Sequence, residues 1–387
     1  MKTLLSLLIG CLALVAQAED VTPLAIGSPA PDFNLPGIDG NQHTLADYKK
    51  TEVLMVIFLS NHCPASHGCE PRLLKLFADY KGKGLDVVAI NPNNPIGLRP
   101  DELGYSKYND SFDEMKLYAK DAKFTFDYLY DGETQATAKA YGCLATPHVF
   151  IFDKERKLRY QGRFDDSRYK DESTVTSPDA RNAVEALLAG KEVPVKETKP
   201  YGCSTKWLTK KDLVKADNEK WAKADVIVET IDAAAVAALR KNDTKKVRMF
   251  NVWATWCGPC VEEFPELVKT SRKFGLRDFE FISISLDDPA DLKTVKKFLD
   301  QNGNVLPSKL KPSLKEEGRN TNCYVFKGAN NDELIKALDP EWKGPIPFTL
   351  VVAPGGKVVY RVNEEVDGEK LRQTILDYMG DSYVPEN

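Results

Sequence analysis

The chain has 387 residues, of which 42% are hydrophobic and 28% charged, with a formal charge of -4. That length exceeds what one hydrophobic core usually organises, so two domains are expected. The mild acidity argues against a nucleic-acid or anionic-membrane partner, and nothing in the composition departs from ordinary soluble protein.

The first twenty residues, MKTLLSLLIGCLALVAQAED, carry one lysine, an apolar run from Leu4 to Val15, and Ala16, Gln17 and Ala18 before two acids. The pattern predicts a secretory signal over residues 1–18; its run is too short for a good membrane span. LIGC, ending at Cys11, is similar to a lipobox, but the apolar stretch before it is very short, and cleavage without lipid anchoring is the expectation. The mature chain then keeps seven cysteines, at 63, 69, 143, 203, 257, 260 and 323, in an exported, periplasmic or secreted, oxidising setting. An odd count leaves at least one thiol unpaired or exchanging.

Residues 19–207 form the first expected domain. Its chemistry centres on NHCPASHGCEP, residues 61–71, where Cys63, His67 and Cys69 follow the apolar run MVIFLS. In a regular helix residues six apart are separated by about 9 Å along the axis, whereas a disulfide wants Cα atoms within roughly 4.4 to 6.8 Å. Cys63 and Cys69 therefore cannot bond unless the first turns unwind, which Pro64, Gly68 and Pro71 make easier. Cys143 or Cys203 could serve as partner without unwinding, and a static bridge between those two is the bland alternative. Next comes STKWLTKKDLVKADNEKWAKAD, charged and helix-forming, whose residues 208–225 read as a semi-rigid spacer with a solvated face.

The second domain, residues 226–387, contains VRMFNVWATWCGPCVEEFPELVKTSRKFG from Val247: an apolar strand, a Trp-Cys-Gly-Pro-Cys turn and an amphipathic helix. A thiolate at a helix start is stabilised by the positive end of the helix dipole, so Cys257 is the expected nucleophile. Cys260, three residues on, is close enough to resolve a mixed disulfide. A zinc half-site would want a second pair of ligands at metal spacing, and this half offers only Cys323 and no histidine. Residues 307–344 read as a polar surface insertion with one strand, and Cys323 as buried or idle.

The first half overlays the second. Laying Cys63 on Cys257 aligns MVIFLSNHCPASHGCEPRLLKLFADYKGKGLDVVAIN with MFNVWATWCGPCVEEFPELVKTSRKFGLRDFEFISIS without gaps, and TPHVFIFDKERKLRY later falls on IPFTLVVAPGGKVVY. Cys63 then takes the nucleophile's place, Ser66 that of Cys260, Cys69 that of Glu263, Ile57 that of Asn251 and Pro147 that of Pro347. The overlay also brings His62, His67 and His148, three of only four histidines, to one site, with His67 one turn from Cys63.

With WCGPC, Pro265 and GPIPFTLVVAPGGKVVYR, the second half resembles TlpA/ResA-type thioredoxins. The resemblance implies a cis-proline at Pro347 beside the disulfide and a proton-handling acid at Glu263, with Glu262 facing solvent. The first half, on IGSPAPDFNLPGIDGNQHTLADY, NHCP, TPHVFIFD, YQGRFDDSR and YGCSTKW, resembles exported redoxin domains of the AhpC/TSA, peroxiredoxin-like group. Members often read Cys-Asn-His-Cys-Pro; here Ser60 stands at the first of those positions. Together the resemblances imply an α/β protein of two tandem thioredoxin-like folds, each a central mixed β-sheet flanked by helices.

Three functions follow, in order of expectation. The first is an exported thiol-disulfide oxidoreductase acting on protein thiols or disulfides, without a cofactor and with an external or membrane thiol reductant; if the helix starts face each other, electrons pass between Cys257 and Cys63. The second makes Cys63 a peroxidatic thiol reduced by the second domain, with Arg163 a candidate for the arginine such chemistry uses. The third is copper held by Cys63, Cys69 and His67 or His148 in the manner of Sco-type chaperones, whose Cys-x-x-x-Cys spacing this chain lacks.

Overall fold

The computed structural model describes residues 21–385, so the expected signal and Cys11 lie outside the described residues. A short hairpin, β1 (Asn34–Pro36) and β2 (Gln42–Thr44), leads into β3 (Val53–Phe58), α1 (Pro64–Tyr80), β4 (Leu85–Asn91), α2 (Phe112–Asp121), β5 (Asp127–Tyr130), α3 (Ala136–Tyr141), β6 (Ala145–Thr146), β7 (His148–Phe152), β8 (Leu158–Gly162), α4 (Asp179–Leu188) and β9 (Cys203–Ser204). After α5 (Lys211–Ala222) come β10 (Glu229–Ile231), α6 (Ala233–Lys241), β11 (Val247–Trp253), α7 (Gly258–Lys273), β12 (Phe279–Ser285), α8 (Leu292–Gln301), α9 (Lys311–Glu316), β13 (Cys323–Phe326), α10 (Asn331–Leu338), β14 (Phe348–Val352), β15 (Val358–Val362) and α11 (Gly368–Met379).

The two sheets are variants of one plan. The first runs β5-β4-β3-β7-β8 and the second β10-β13-β12-β11-β14-β15, the second having one extra edge strand. In each, the strand before the redox turn pairs in parallel with the next strand and antiparallel with the strand after the proline. Both central strands, VLMVIF and VRMFNVW, are buried along their whole length because helices cover both faces. Cys63 and Cys257 are the extended N-cap residues of α1 and α7, each with a proline in the first turn, where its missing N–H costs nothing.

One segment differs from expectation. Residues 307–344 are not a surface loop. They fold into α9, β13 and α10, and β13 lies inside the sheet between β10 and β12. Most of their charges are exposed on the outer faces of these elements, while Arg319 turns inward and, with Arg248, holds the fully buried Glu280 at 2.7 and 3.0 Å. The spacer helix α5 buries none of its residues and is anchored to the second domain, with Trp221 Nε1 donating to the Gly303 carbonyl at 2.9 Å and Arg272 reaching Asn218 at 2.6 Å.

The second domain packs on the first through the far end of α7. Lys273 Nζ donates to the Ser106 carbonyl at 2.6 Å, and Arg277 donates to the carbonyls of Gly104, Met379 and Gly380 while its guanidinium lies 3.9 Å from the centre of the Tyr105 ring. After α11 the chain returns to the first domain, where Asp381 pairs with Lys170 and Tyr383 bridges Tyr169. Cys257 sits at the opposite end of α7, about 24 Å of helix away at 1.5 Å per residue. A disulfide needs its sulfurs at about 2 Å. Tyr105 and Tyr383, which face Cys203 and Cys63, lie at the Arg277 end of α7 while Cys257 caps the other end, so the two helix starts are not in contact.

Candidate active sites

In the second domain Cys257 and Cys260 form a disulfide with Cα atoms 5.3 Å apart. The Cys257 sulfur accepts from the Cys260 N–H at 3.4 Å and lies 3.9 Å from the Ile346 carbonyl, next to the cis Ile346–Pro347 bond. The turn is fixed from beneath: Thr255 N–H and hydroxyl both donate to the Asp287 carboxylate, at 2.9 and 2.5 Å. Above it Trp256 stands 67% exposed, a flat apolar platform beside an otherwise enclosed sulfur.

Glu263 lies one turn after Cys260 on the inner face of α7, only 2% exposed, while Glu262 is exposed. Asn251 Nδ2 and the Val366 N–H donate to its two oxygens at 2.9 and 2.8 Å. Burial outweighs those bonds and pushes its carboxyl up to about 7, so it takes and gives a proton near neutrality. Cys323 is buried against Asn304, and burial pushes its thiol up to about 12.

In the first domain the expected residues separate into those that meet Cys63 and those that do not. Cys63 is fully buried, and as a thiol donates to the Thr146 carbonyl at 3.0 Å, beside the cis Thr146–Pro147 bond. Thr146 in turn pairs with Cys203 in the β6–β9 ladder, which sets Cys203 against Cys63. Gly202 makes this approach feasible: its φ is +151°, and a Cβ there would overlap the Thr146 carbonyl oxygen. Burial alone would raise the Cys63 thiol. The Cys203 S–H donating to its sulfur, the charge of His62 and the N–H groups of Ser66 and Cys203 overcome this and hold it well below the ordinary thiol value. Cys203 is correspondingly raised, first by that donated bond and then by burial.

The remaining candidates are engaged elsewhere. The Ser66 hydroxyl accepts from the Ser60 N–H, and the Ser60 hydroxyl bonds that of Thr146 at 2.9 Å. Cys69 faces the Ser66 carbonyl one turn into an unbroken α1, and burial, with the charges of Glu70 and Asp165, drives its thiol well up. Cys143 donates to the Ala145 carbonyl, and it is not bridged to Cys203. Arg163 is paired with Asp179 rather than with Cys63. His148 lies between the Leu144 N–H and Gln161, and burial lowers it to about 4.

The copper set is not assembled. Both ring nitrogens of His67 face carbonyl oxygens, of Asp381 at 2.6 Å and Asn61 at 2.9 Å, so neither lone pair is open to a metal. Among the described residues no group of three His, Cys, Asp or Glu side chains is placed to hold a metal ion. Asp110, which pairs with His62, and the returning tail at Asp381 and Tyr383 carry no local motif, and sequence reasoning did not find them.

Comparison with known proteins agrees with the two frames. Residues 26–161 match the AhpC/TSA family and residues 208–376 match the Redoxin family. The chain is a tandem of two thioredoxin-superfamily domains. The chain is 28% identical over 138 residues to the thiol-disulfide oxidoreductase ResA of Geobacillus thermodenitrificans, covering 36% of this chain and 69% of that protein. It is 26% identical over 148 residues to a Mycobacterium tuberculosis protein named "Putative peroxiredoxin", covering 33% of this chain and 92% of that one. Among solved structures, a hypothetical protein from Sinorhizobium meliloti 1021 is 38% identical, with a TM-score of 0.43, over 48% of this chain and 97% of its own. The chain is a redox enzyme of the thioredoxin superfamily.

Proposed function

We propose that the chain is an exported thiol-disulfide oxidoreductase in which Cys257 exchanges with protein substrates, Cys260 resolves and Glu263 carries the proton. The observation that carries this reading is the Cys257–Cys260 pair at a helix start, next to a cis-proline, with a buried carboxyl raised to about 7 one turn away. In the reducing direction the Cys257 thiolate attacks a substrate disulfide, forming a mixed disulfide and releasing one substrate thiolate. Cys260 passes its proton to the Glu263 carboxylate and attacks the Cys257 sulfur, and the second substrate thiolate leaves. The reverse order oxidises a substrate dithiol. A reductase assay on a protein disulfide tests it: unchanged turnover in Cys257→Ser removes the reading.

The first domain is a second thiol site in which Cys63 forms a disulfide with Cys203. Their placement and opposed shifts support that pairing over Cys69 or Cys143. A peroxidatic role for Cys63 has one specific observation in its favour: the sulfur is fully buried, which suits a small oxidant better than a protein. Disulfide mapping after limited peroxide exposure, with peroxide consumption measured in Cys63→Ser, decides between the two. Export is tested by sequencing the mature N-terminus for cleavage after Ala18.

A further inference from the structure

The turn that ends at Cys63 carries a charged pair that neither reading of the first domain uses. His62 and Asp110 are both buried, and His62 Nδ1 meets Asp110 Oδ2 at 2.5 Å. The carboxylate is supplied from all sides. Its Oδ1 accepts from the Asn61 N–H at 2.7 Å and from Asn91 Nδ2 at 3.0 Å, and its Oδ2 accepts from Asn93 Nδ2 at 3.1 Å. An anion so well bonded in the interior requires a cation beside it, and His62 is the group in contact. Its other nitrogen, Nε2, is buried with no hydrogen-bond partner. An imidazolium N–H left bare in the interior is costly unless a negative charge nearby compensates it, and the adjoining residue is Cys63.

We propose that Asp110 holds His62 as a fixed internal cation, and that this imidazolium keeps Cys63 as a thiolate, both acting as positioning residues. The inference rests on the reading of Cys63 and Cys203 as an exchanging pair. In that cycle the Cys63 thiolate attacks a disulfide RSSR, giving the Cys63–SR mixed disulfide and RS⁻. RS⁻ takes the Cys203 proton and leaves as RSH. The Cys203 thiolate attacks the Cys63 sulfur, closing the Cys63–Cys203 disulfide and releasing the second RS⁻. Two electrons pass from the dithiol to RSSR, and His62 holds its proton throughout.

Other groups face this centre and bear on any titration of it. Cys203, Cys69 and Tyr383 act on Cys63; Lys206 acts on His62 and Cys203, offset by Glu102, with which it pairs at 2.6 Å; Tyr105 also faces Cys203. None of these is, like His62, both adjacent to Cys63 in sequence and tied to a fully buried carboxylate.

The test is peptide-resolved alkylation of the reduced full chain by iodoacetamide across pH. His62→Gln and Asp110→Asn should each raise the pH midpoint for Cys63 and slow its alkylation at pH 6 about tenfold, leaving the Cys257 profile in the same tubes unchanged. Coupling between two sites is reciprocal, so in Cys63→Ser the imidazole of His62, followed by NMR, should titrate at lower pH than in the parent chain. Unmoved Cys63 midpoints in folded variants overturn the proposal. Should both variants fail to fold, a His62 titration indifferent to Cys63→Ser overturns it instead. Shifted midpoints without any Cys63–Cys203 disulfide on oxidation would retire the exchange reading and leave the internal cation standing.

Discussion

The two redox turns share a frame and differ in where their working parts come from. At Cys257 the reacting groups lie within two turns of one helix start: the partner sulfur three residues on, the proton carrier at Glu263, and the apolar platform of Trp256 beside the sulfur. At Cys63 the equivalent places hold Ser66 and Cys69, one bonded to the Ser60 N–H and the other buried with its thiol raised. The missing parts arrive from distant chain: Cys203 from the 203–204 strand, Asp110 from the loop before α2, and the cover from the tail of the other domain. The fold supplies the site for a nucleophile, a helix start facing the carbonyl before a cis-proline. What stabilises the sulfur and what resolves it can be local or imported.

If the local site performs protein disulfide exchange, Cys257→Ser should lower turnover by about a thousandfold or more, because the covalent route is lost. Cys63→Ser should leave the same assay within about twofold, since the two helix starts are not in contact. Equal losses in the two variants would mean the sites act as one. Glu263→Gln should cost about a hundredfold and remove the rise of rate through pH 7. Stability carries the same signature. A carboxyl raised from 4.5 to about 7 in the folded chain binds protons the unfolded chain has lost, so its contribution is present at low pH and disappears as pH rises through 7. Glu263→Gln should therefore gain about 3 kcal/mol on the parent chain between pH 5 and pH 8, measured by denaturant melts at both.

The contrast also explains what could be read in advance. WCGPC, the proline spacing and a strand-turn-helix pattern are local, so the second site and the repeat that revealed the first frame lay open in the sequence. Cys63 followed by position. Its surroundings did not, because Asp110 acts on His62 across 48 residues of chain and Tyr383 faces Cys63 across more than three hundred, with no period or motif to announce either. The 307–344 segment misled for a related reason: its many exposed charges mask the fewer apolar residues, Leu314, Leu334 and the strand β13, that dock it on the sheet.

A smaller test separates charge from access at the imported site. Cys203→Ala removes the principal thiol donor to Cys63, so the Cys63 alkylation midpoint should rise by about one pH unit, while its limiting rate at high pH stays near that of the parent chain. Tyr383 should behave the other way. Its ring packs on Tyr105 at 5.5 Å and under the Arg168 guanidinium, and burial, with the neighbouring charges of Cys203 and Cys63, pushes its hydroxyl up to about 12. The phenol is therefore neutral at working pH, and removing it alters cover and not charge. Tyr383→Ala should speed Cys63 alkylation about threefold at every pH by loosening the tail, without moving the midpoint, and Tyr383→Phe should do neither. A midpoint that moves in Tyr383→Ala would show that the tail takes part in setting the charge on Cys63, and the second domain would then be part of the first domain's chemistry and not only its cover.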